Sequence, residues 1–97
     1  MLENFMYHVY CLISKKNSKF HYYGFTGDIE KRLKYHNAGK VRTTRRFFPV
    51  ELLGYRTFKT KKEALKFEKD LKGKASYRKK FVRDLQEEKR GVLGSPA

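Results

Sequence analysis

The stretch YHVYCLISKKNSKFHYYGF, Tyr7–Phe25, holds two short runs of aromatic and β-branched residues separated by a lysine-rich polar segment. Tyr7–Ile13 reads as a strand, Ser14–Lys19 as a turn and Phe20–Phe25 as the returning strand. Strand tyrosines ordinarily serve sheet packing. Their parity raises a second use. Tyr10 alternates with His8 and Leu12, and Tyr22 with Phe20 and Gly24. If these sets meet across the hairpin, both phenols lie on one face of the sheet.

Past the hairpin, Asp28 is placed to cap a helix running through His36 or Asn37, and Gly39 suits the left-handed position that ends it. Lys40–Pro49, KVRTTRRFFP, reads as a basic loop. Val50–Phe58 reads as a third strand interrupted by Gly54. Thr60 and Glu63 form a capping box that opens a helix through Lys72, stopped by Gly73. Ser76 is the expected cap of a last helix, in which Tyr77, Phe81 and Leu85 recur at helical spacing. The order β-β-α-β-α-α describes an α+β fold, a three-stranded, mostly antiparallel sheet flanked by helices. Residues 1–90 are expected to form a single domain, and 91–97, GVLGSPA, a disordered tail.

The 97-residue chain carries 24 Lys and Arg against 10 Asp and Glu, a net charge of +14. A surplus of that size repels itself and calls for a polyanion, of which nucleic acid is the usual one. An aromatic content of 15% argues against disorder. The single Cys11 excludes an internal disulfide and has no partners spaced for zinc. No apolar run approaches the ~20 residues that span a bilayer, and no secretory signal is visible. The expectation is an intracellular, cytoplasmic protein without membrane contact.

Two helices place charge on inward faces. In the first, Arg32 and His36 share a side with Ile29 and Leu33, the residues that must point at the sheet. The plain reading of Arg32 is a side chain that borders the core and reaches out to water. In the second, Glu68 falls within the arc of Ala64, Phe67 and Leu71. A carboxylate there has to be neutral, paired with a cation or bound to a metal. Two phenols, an arginine, a histidine and a carboxylate are thus expected to converge on one layer between sheet and helices. Such a set can serve phosphodiester hydrolysis.

With these residues in order, HVY at His8–Tyr10, YYG at Tyr22–Gly24, then DIEKRLKYHNAGK and EALKFEKDLKG, the chain resembles the GIY-YIG endonucleases, in particular their small single-domain members. The resemblance runs from Tyr7 to about Leu85. It implies that Tyr10 and Tyr22 are the motif tyrosines, Tyr10 acting as general base and Tyr22 orienting water or phosphate. It implies Arg32 beside the scissile phosphate, His36 next to the first tyrosine, and Glu68 as the carboxylate that holds Mg²⁺ or Mn²⁺. The implied activity is metal-dependent hydrolysis of DNA, leaving 5′-phosphate and 3′-hydroxyl ends.

The departures are His8 in place of the motif's first glycine and a last helix without the asparagine some members use, where either Lys79 or Lys80 substitutes or the role is missing. Nearby cations would have to lower the Tyr10 pKa, or His36 would have to relay its proton. Lys40, Arg42, Arg45 and Arg46, interleaved with threonines, are the expected phosphate grip. A targeting protein, or a weak homo-oligomer for double-strand cutting, is the expected partner besides DNA. The rival reading is a basic protein that binds nucleic acid without cutting it.

Overall fold

The computed structural model describes residues 6–91. Strands β1 (Tyr7–Ser14), β2 (His21–Thr26) and β3 (Val50–Phe58) form one sheet in the order β2-β1-β3. Both pairings are antiparallel. Helix α1 (Ile29–Asn37) follows the hairpin; α2 (Lys61–Gly73) and α3 (Ala75–Lys89) follow β3, and a short 3₁₀ turn occupies Arg45–Phe47. The expected element order holds. The expected tail lies outside the described residues except Gly91, whose positive φ of 77° closes the turn after α3.

The central strand explains the layers. Val9, Tyr10, Cys11 and Leu12 are all buried in succession, as they must be in a strand covered on both faces. On one face Tyr10, Leu12 and Val50 pack with Tyr22, Leu52 and the Ile29 and Leu33 stripe of α1. On the other, Val9 and Cys11 pack with Ala64 and Leu71 of α2 and with Phe81 and Leu85 of α3. The hairpin register sets Tyr10 opposite Gly24 and Leu12 opposite Tyr22, so the two phenols are diagonal neighbours on the α1 face.

Strand β3 is not broken at Gly54. It runs continuously, but its register against β1 shifts between Cys11 and Leu12, opposite Gly54 and Leu52. Gly54 has a packing reason: a Cβ there would stand 2.6 Å from a methyl of the buried Leu85.

Local signals place the helices. The Asp28 carboxylate accepts from the Lys31 amide, and the Thr60 hydroxyl oxygen from the Glu63 amide. Gly39 adopts φ 75° after α1, as its expected cap role requires. Ser76 does not cap α3. That helix starts at Ala75 with no side-chain cap, with only Lys74 between it and the end of α2. The join is made by the Arg78 guanidinium, which donates to the carbonyls of Leu71 (2.8 Å) and Lys72 (3.0 Å) at the end of α2. Of the α3 repeat, Phe81 and Leu85 are buried. Tyr77 is exposed under the Lys74 ammonium instead.

Gly24 is the tightest point of the sheet, since any Cβ there would overlap the Tyr10 ring and hydroxyl. Gly24→Ala is therefore expected to destabilise the protein by about 1–3 kcal/mol, the usual cost of overpacking. Gly27→Ala, whose Cβ meets nothing closer than 3.9 Å, should stay within about 0.5 kcal/mol of wild type. Urea unfolding of the two variants checks this. Equal effects would show that the Tyr10 ring moves aside freely.

Candidate active site

Tyr10 projects from the middle of β1 toward α1 and is 2% exposed; His36, in the last turn of α1, is 0% exposed. A buried phenol and a buried imidazole both need partners, and they find each other at 2.9 Å between the Tyr10 hydroxyl and His36 Nε2. The other ring nitrogen, Nδ1, lies 2.8 Å from Oγ1 of the buried Thr44. The direction of this chain follows from its end. The Val41 carbonyl can only accept, so the Thr44 hydroxyl donates to it, at 3.4 Å. Thr44 Oγ1 is then an acceptor, Nδ1–H donates to it, and Nε2 is left to accept the Tyr10 proton. On the far side of the phenol, Arg32 Nε donates to the Tyr10 oxygen at 3.3 Å.

The electrostatics agree with this assignment. Burial pushes the Tyr10 pKa up, and the Arg32 hydrogen bond opposes it without cancelling it. Burial, aided by the Arg32 charge, lowers His36 to about 4. The bond to Tyr10 in turn raises Arg32, with a smaller part from Tyr22. Near neutrality the group is a phenol, a neutral imidazole and a guanidinium. Of the two routes open to the Tyr10 proton, depression of its own pKa is not what this environment provides. What the geometry offers instead is a hydrogen-bonded acceptor, His36 Nε2, whose own lowered pKa makes it a weak base in the resting site.

Tyr22 is half-buried, its ring 6.3 Å from that of Tyr10 and 5.0 Å from that of His36. Tyr10, Tyr22, Arg32 and His36 thus do converge. Glu68 stands elsewhere. It stands on α2, whose buried Ala64 and Leu71 cover the opposite face of the sheet, so the five residues do not share one layer. The apolar arc of α2 meets the Val9 face, and Glu68 sits at its margin. Its side chain is 18% exposed and pairs with Lys72 at 3.2 Å. Its charge still bears on Tyr10, raising that pKa slightly.

Among the described residues no cluster of three or more His, Cys, Asp or Glu side chains could hold a metal. A lone carboxylate fits Mg²⁺ or Mn²⁺, which keep most of their waters and take one or two protein oxygens beside substrate phosphate. Lys72 would have to turn away. Lys79 and Lys80 do not join the group: α3 packs on the Val9 face, and Lys80 is held by Asp84 at 2.8 Å.

Lys40, Arg42, Arg45 and Arg46 are all exposed. Thr44, expected among the phosphate-facing threonines, points inward instead because His36 needs its oxygen. The loop is fastened at several other points. The Asn37 amide bonds both the N–H (2.7 Å) and the carbonyl (2.9 Å) of Val50. The Ser14 hydroxyl donates to the Phe47 carbonyl at 2.6 Å. Tyr35, exposed on α1, has the Arg32 guanidinium 5.4 Å from its ring centre and the Lys40 ammonium at 5.6 Å. Sequence reasoning missed Thr44, Asn37 and Tyr35. Asn37 as the last residue of a predicted helix was the one available signal, while the other two act only through the folded arrangement.

Residues 6–81 match the GIY-YIG catalytic domain. The chain belongs to the GIY-YIG family. It is similar to a UPF0213 protein of Bacillus velezensis, 38% identical over 92% of this chain and 87% of that one. A UPF0213 protein of Lacticaseibacillus paracasei is 38% identical over 84% of this chain and 92% of its own length. One from Haloquadratum walsbyi is 36% identical over 84% and 89%. No solved structure matches the chain. Membership makes this a nuclease domain. The pairing of Tyr10 with Gly24 also gives the GIY-YIG motif a steric meaning here, since the glycine of one strand makes room for the tyrosine of the next. No helix among the described residues is long and apolar enough to cross a membrane.

The buried imidazole sets a pH dependence of stability. In the unfolded chain His36 titrates near 6.5, and in the fold near 4. Below pH 6.5 the unfolded state therefore binds the proton that the folded state refuses, and stability falls until the pH passes about 4. The shift corresponds to about 3 kcal/mol. His36→Gln cannot titrate, so the stability advantage of wild type over this variant should shrink by about that amount between neutral pH and pH ~4. Unfolding curves across the range check it; a constant difference would mean that His36 takes up its proton as readily in the fold as in the unfolded chain.

Proposed function

We propose that the chain is a divalent-metal-dependent endonuclease that hydrolyses phosphodiester bonds in DNA and leaves 5′-phosphate and 3′-hydroxyl ends. The observation that carries this reading is the hydrogen-bonded line Arg32–Tyr10–His36–Thr44, which gives one phenol oxygen a cation on one side and a proton acceptor on the other. Tyr10 takes a proton from the attacking water as its own passes to His36 Nε2. The cost of charging His36 comes first from burial and second from Arg32. A phosphate on Arg32 reduces the second, so substrate binding itself makes His36 a better acceptor.

Arg32 offers its remaining guanidinium donors to the phosphate oxygens on which charge builds. Tyr22, more exposed than Tyr10, orients the water or the phosphate. Glu68 would hold a Mg²⁺ or Mn²⁺, and the chemistry such an ion would supply there is charge stabilisation at the phosphate and the leaving oxygen. Lys40, Arg42, Arg45 and Arg46 hold the backbone without reading sequence.

One observation favours a second reading. The Lys72 ammonium already satisfies Glu68, and a basic binding protein without catalysis would look the same at that residue. A nicking assay on plasmid DNA with Mg²⁺, Mn²⁺ or chelator separates the two.

Within the first reading, Tyr10→Phe should keep the fold, at a cost of about 1–3 kcal/mol for the unmet His36 Nε2, and lose about 10²–10⁴-fold in rate, the usual range for a general base. Tyr22→Phe should lose less. Glu68→Gln should abolish cleavage with DNA affinity largely kept. Arg32→Lys keeps the charge and loses the planar fork, so it should bind DNA nearly as well and cleave far more slowly. Full activity of Tyr10→Phe and Arg32→Lys at saturating DNA would reduce both residues to packing.

A further inference from the structure

The hairpin tip carries three lysines that the catalytic reading does not use. Lys15, Lys16 and Lys19 are exposed in the turn between β1 and β2. The fold joins this turn to the basic loop. The Ser14 hydroxyl oxygen accepts from the amides of Lys16 and Asn17, both at 3.0 Å, while its hydrogen goes to the Phe47 carbonyl. The Lys15 amide donates to the Pro49 carbonyl at 2.9 Å. The Phe20 and Phe47 rings stack at 3.9 Å with 10° between planes. Ser14 itself is 3% exposed. Lys15, Lys16 and Lys19 therefore stand in fixed relation to Arg45 and Arg46, on one continuous surface.

The two segments that form it carry charge of one sign. No acidic residue occurs in 4–27 or in 31–50. Among the described residues none of Lys15, Lys16, Lys19, Lys40, Arg42, Arg45 and Arg46 is paired with a carboxylate; on β3, α2 and α3 some cations are, Lys66, Lys72, Lys80 and Arg56 among them. Free cations on a preformed surface are what a phosphate backbone binds, with release of its counterions. The surface is also continuous with the active site, since Thr44 precedes Arg45 and bonds His36. It lies toward one end of the sheet only. At the other end of the α1 face stand Thr26, Asp28 and Glu30, where α1 begins with two carboxylates.

We propose that the hairpin tip and the 40–47 loop form a single phosphate-binding ridge that holds the DNA strand on one side of the cleaved bond. The distance follows from the strand. From Gly24, under the Tyr10 hydroxyl, to His21, where β2 starts, is three residues. At roughly 3.3 Å per residue that is roughly 10 Å, with the lysines beyond. At roughly 3.4 Å per nucleotide the ridge meets the backbone about three nucleotides from the cut. The chemistry recognised is the phosphodiester backbone, whatever its sequence. The one-sidedness rests on the nuclease reading above; the ridge itself does not.

Two measurements on the full chain test this. The first is fluorescence anisotropy of a labelled DNA strand against salt, for wild type and for the triple variant Lys15→Gln, Lys16→Gln, Lys19→Gln. The slope of log affinity against log salt should fall by about 2–3, at about 0.7–0.9 per lost contact, while far-ultraviolet circular dichroism and the unfolding midpoint stay as in wild type. An unchanged slope in a folded variant overturns the ridge. The second is the cleavage ladder of a mixed-sequence strand pool labelled at either end. Cuts should stop about three nucleotides short of one end and run closer to the other. Equal margins at both ends overturn the one-sided hold. If wild type binds with the expected slope change but cuts nothing under any metal, the nuclease reading fails and the ridge stands.

Discussion

A tyrosine hydroxyl in the middle of a fully covered strand has to be hydrogen-bonded, and most of what surrounds Tyr10 answers that demand. Gly24 clears the space for its ring, His36 takes its hydrogen and Arg32 bonds its oxygen. Each answer constrains another element. His36 can stay neutral and buried only with Thr44 behind it, which turns the basic loop inward at that point. Arg32 can reach the phenol only from a helix whose cap at Asp28 fixes where α1 begins. An unmet phenol or imidazole at this depth would cost about 1–3 kcal/mol each, enough to hold the arrangement in place against local alternatives.

The sheet works as a partition between chemistry and packing. On the Val9 face the residues are apolar and aromatic, with Phe67 and Phe81 meeting edge to face at 5.3 Å. On the Tyr10 face the same strands present polar groups. This division lets the larger apolar cluster supply stability while the smaller one keeps a buried polar line. Glu68 belongs to a helix on the packing side, and its charge is the smallest of the influences on the phenol.

Much of this was legible in the chain. Hairpin parity put both phenols on one face, helical periodicity aimed Arg32 and His36 inward, and the caps at Asp28 and Thr60 started their helices as read. These are local or periodic signals, and they survive without tertiary knowledge. The layer of Glu68 was not legible, because a helix projection gives the direction of a side chain relative to its own helix and not which face of the sheet that helix covers. The start of α3 escaped for a related reason. Its first turn is fixed by Arg78 reaching back to the carbonyls of α2, a contact with no signature in the residues before it. Thr44 looked like one more loop threonine, and only the depth of His36 distinguishes it.

Cys11 belongs to the packing half. It is 0% exposed at the centre of β1, and burial pushes its thiol to about 12. Alkylating reagents react with thiolate, of which the folded protein offers almost none. Cys11 is also the sole cysteine of the chain, so every labelling event reports the same place. The rate at which a thiol reagent marks the protein is therefore a clock for the opening of the central strand, with the native sequence as its own probe.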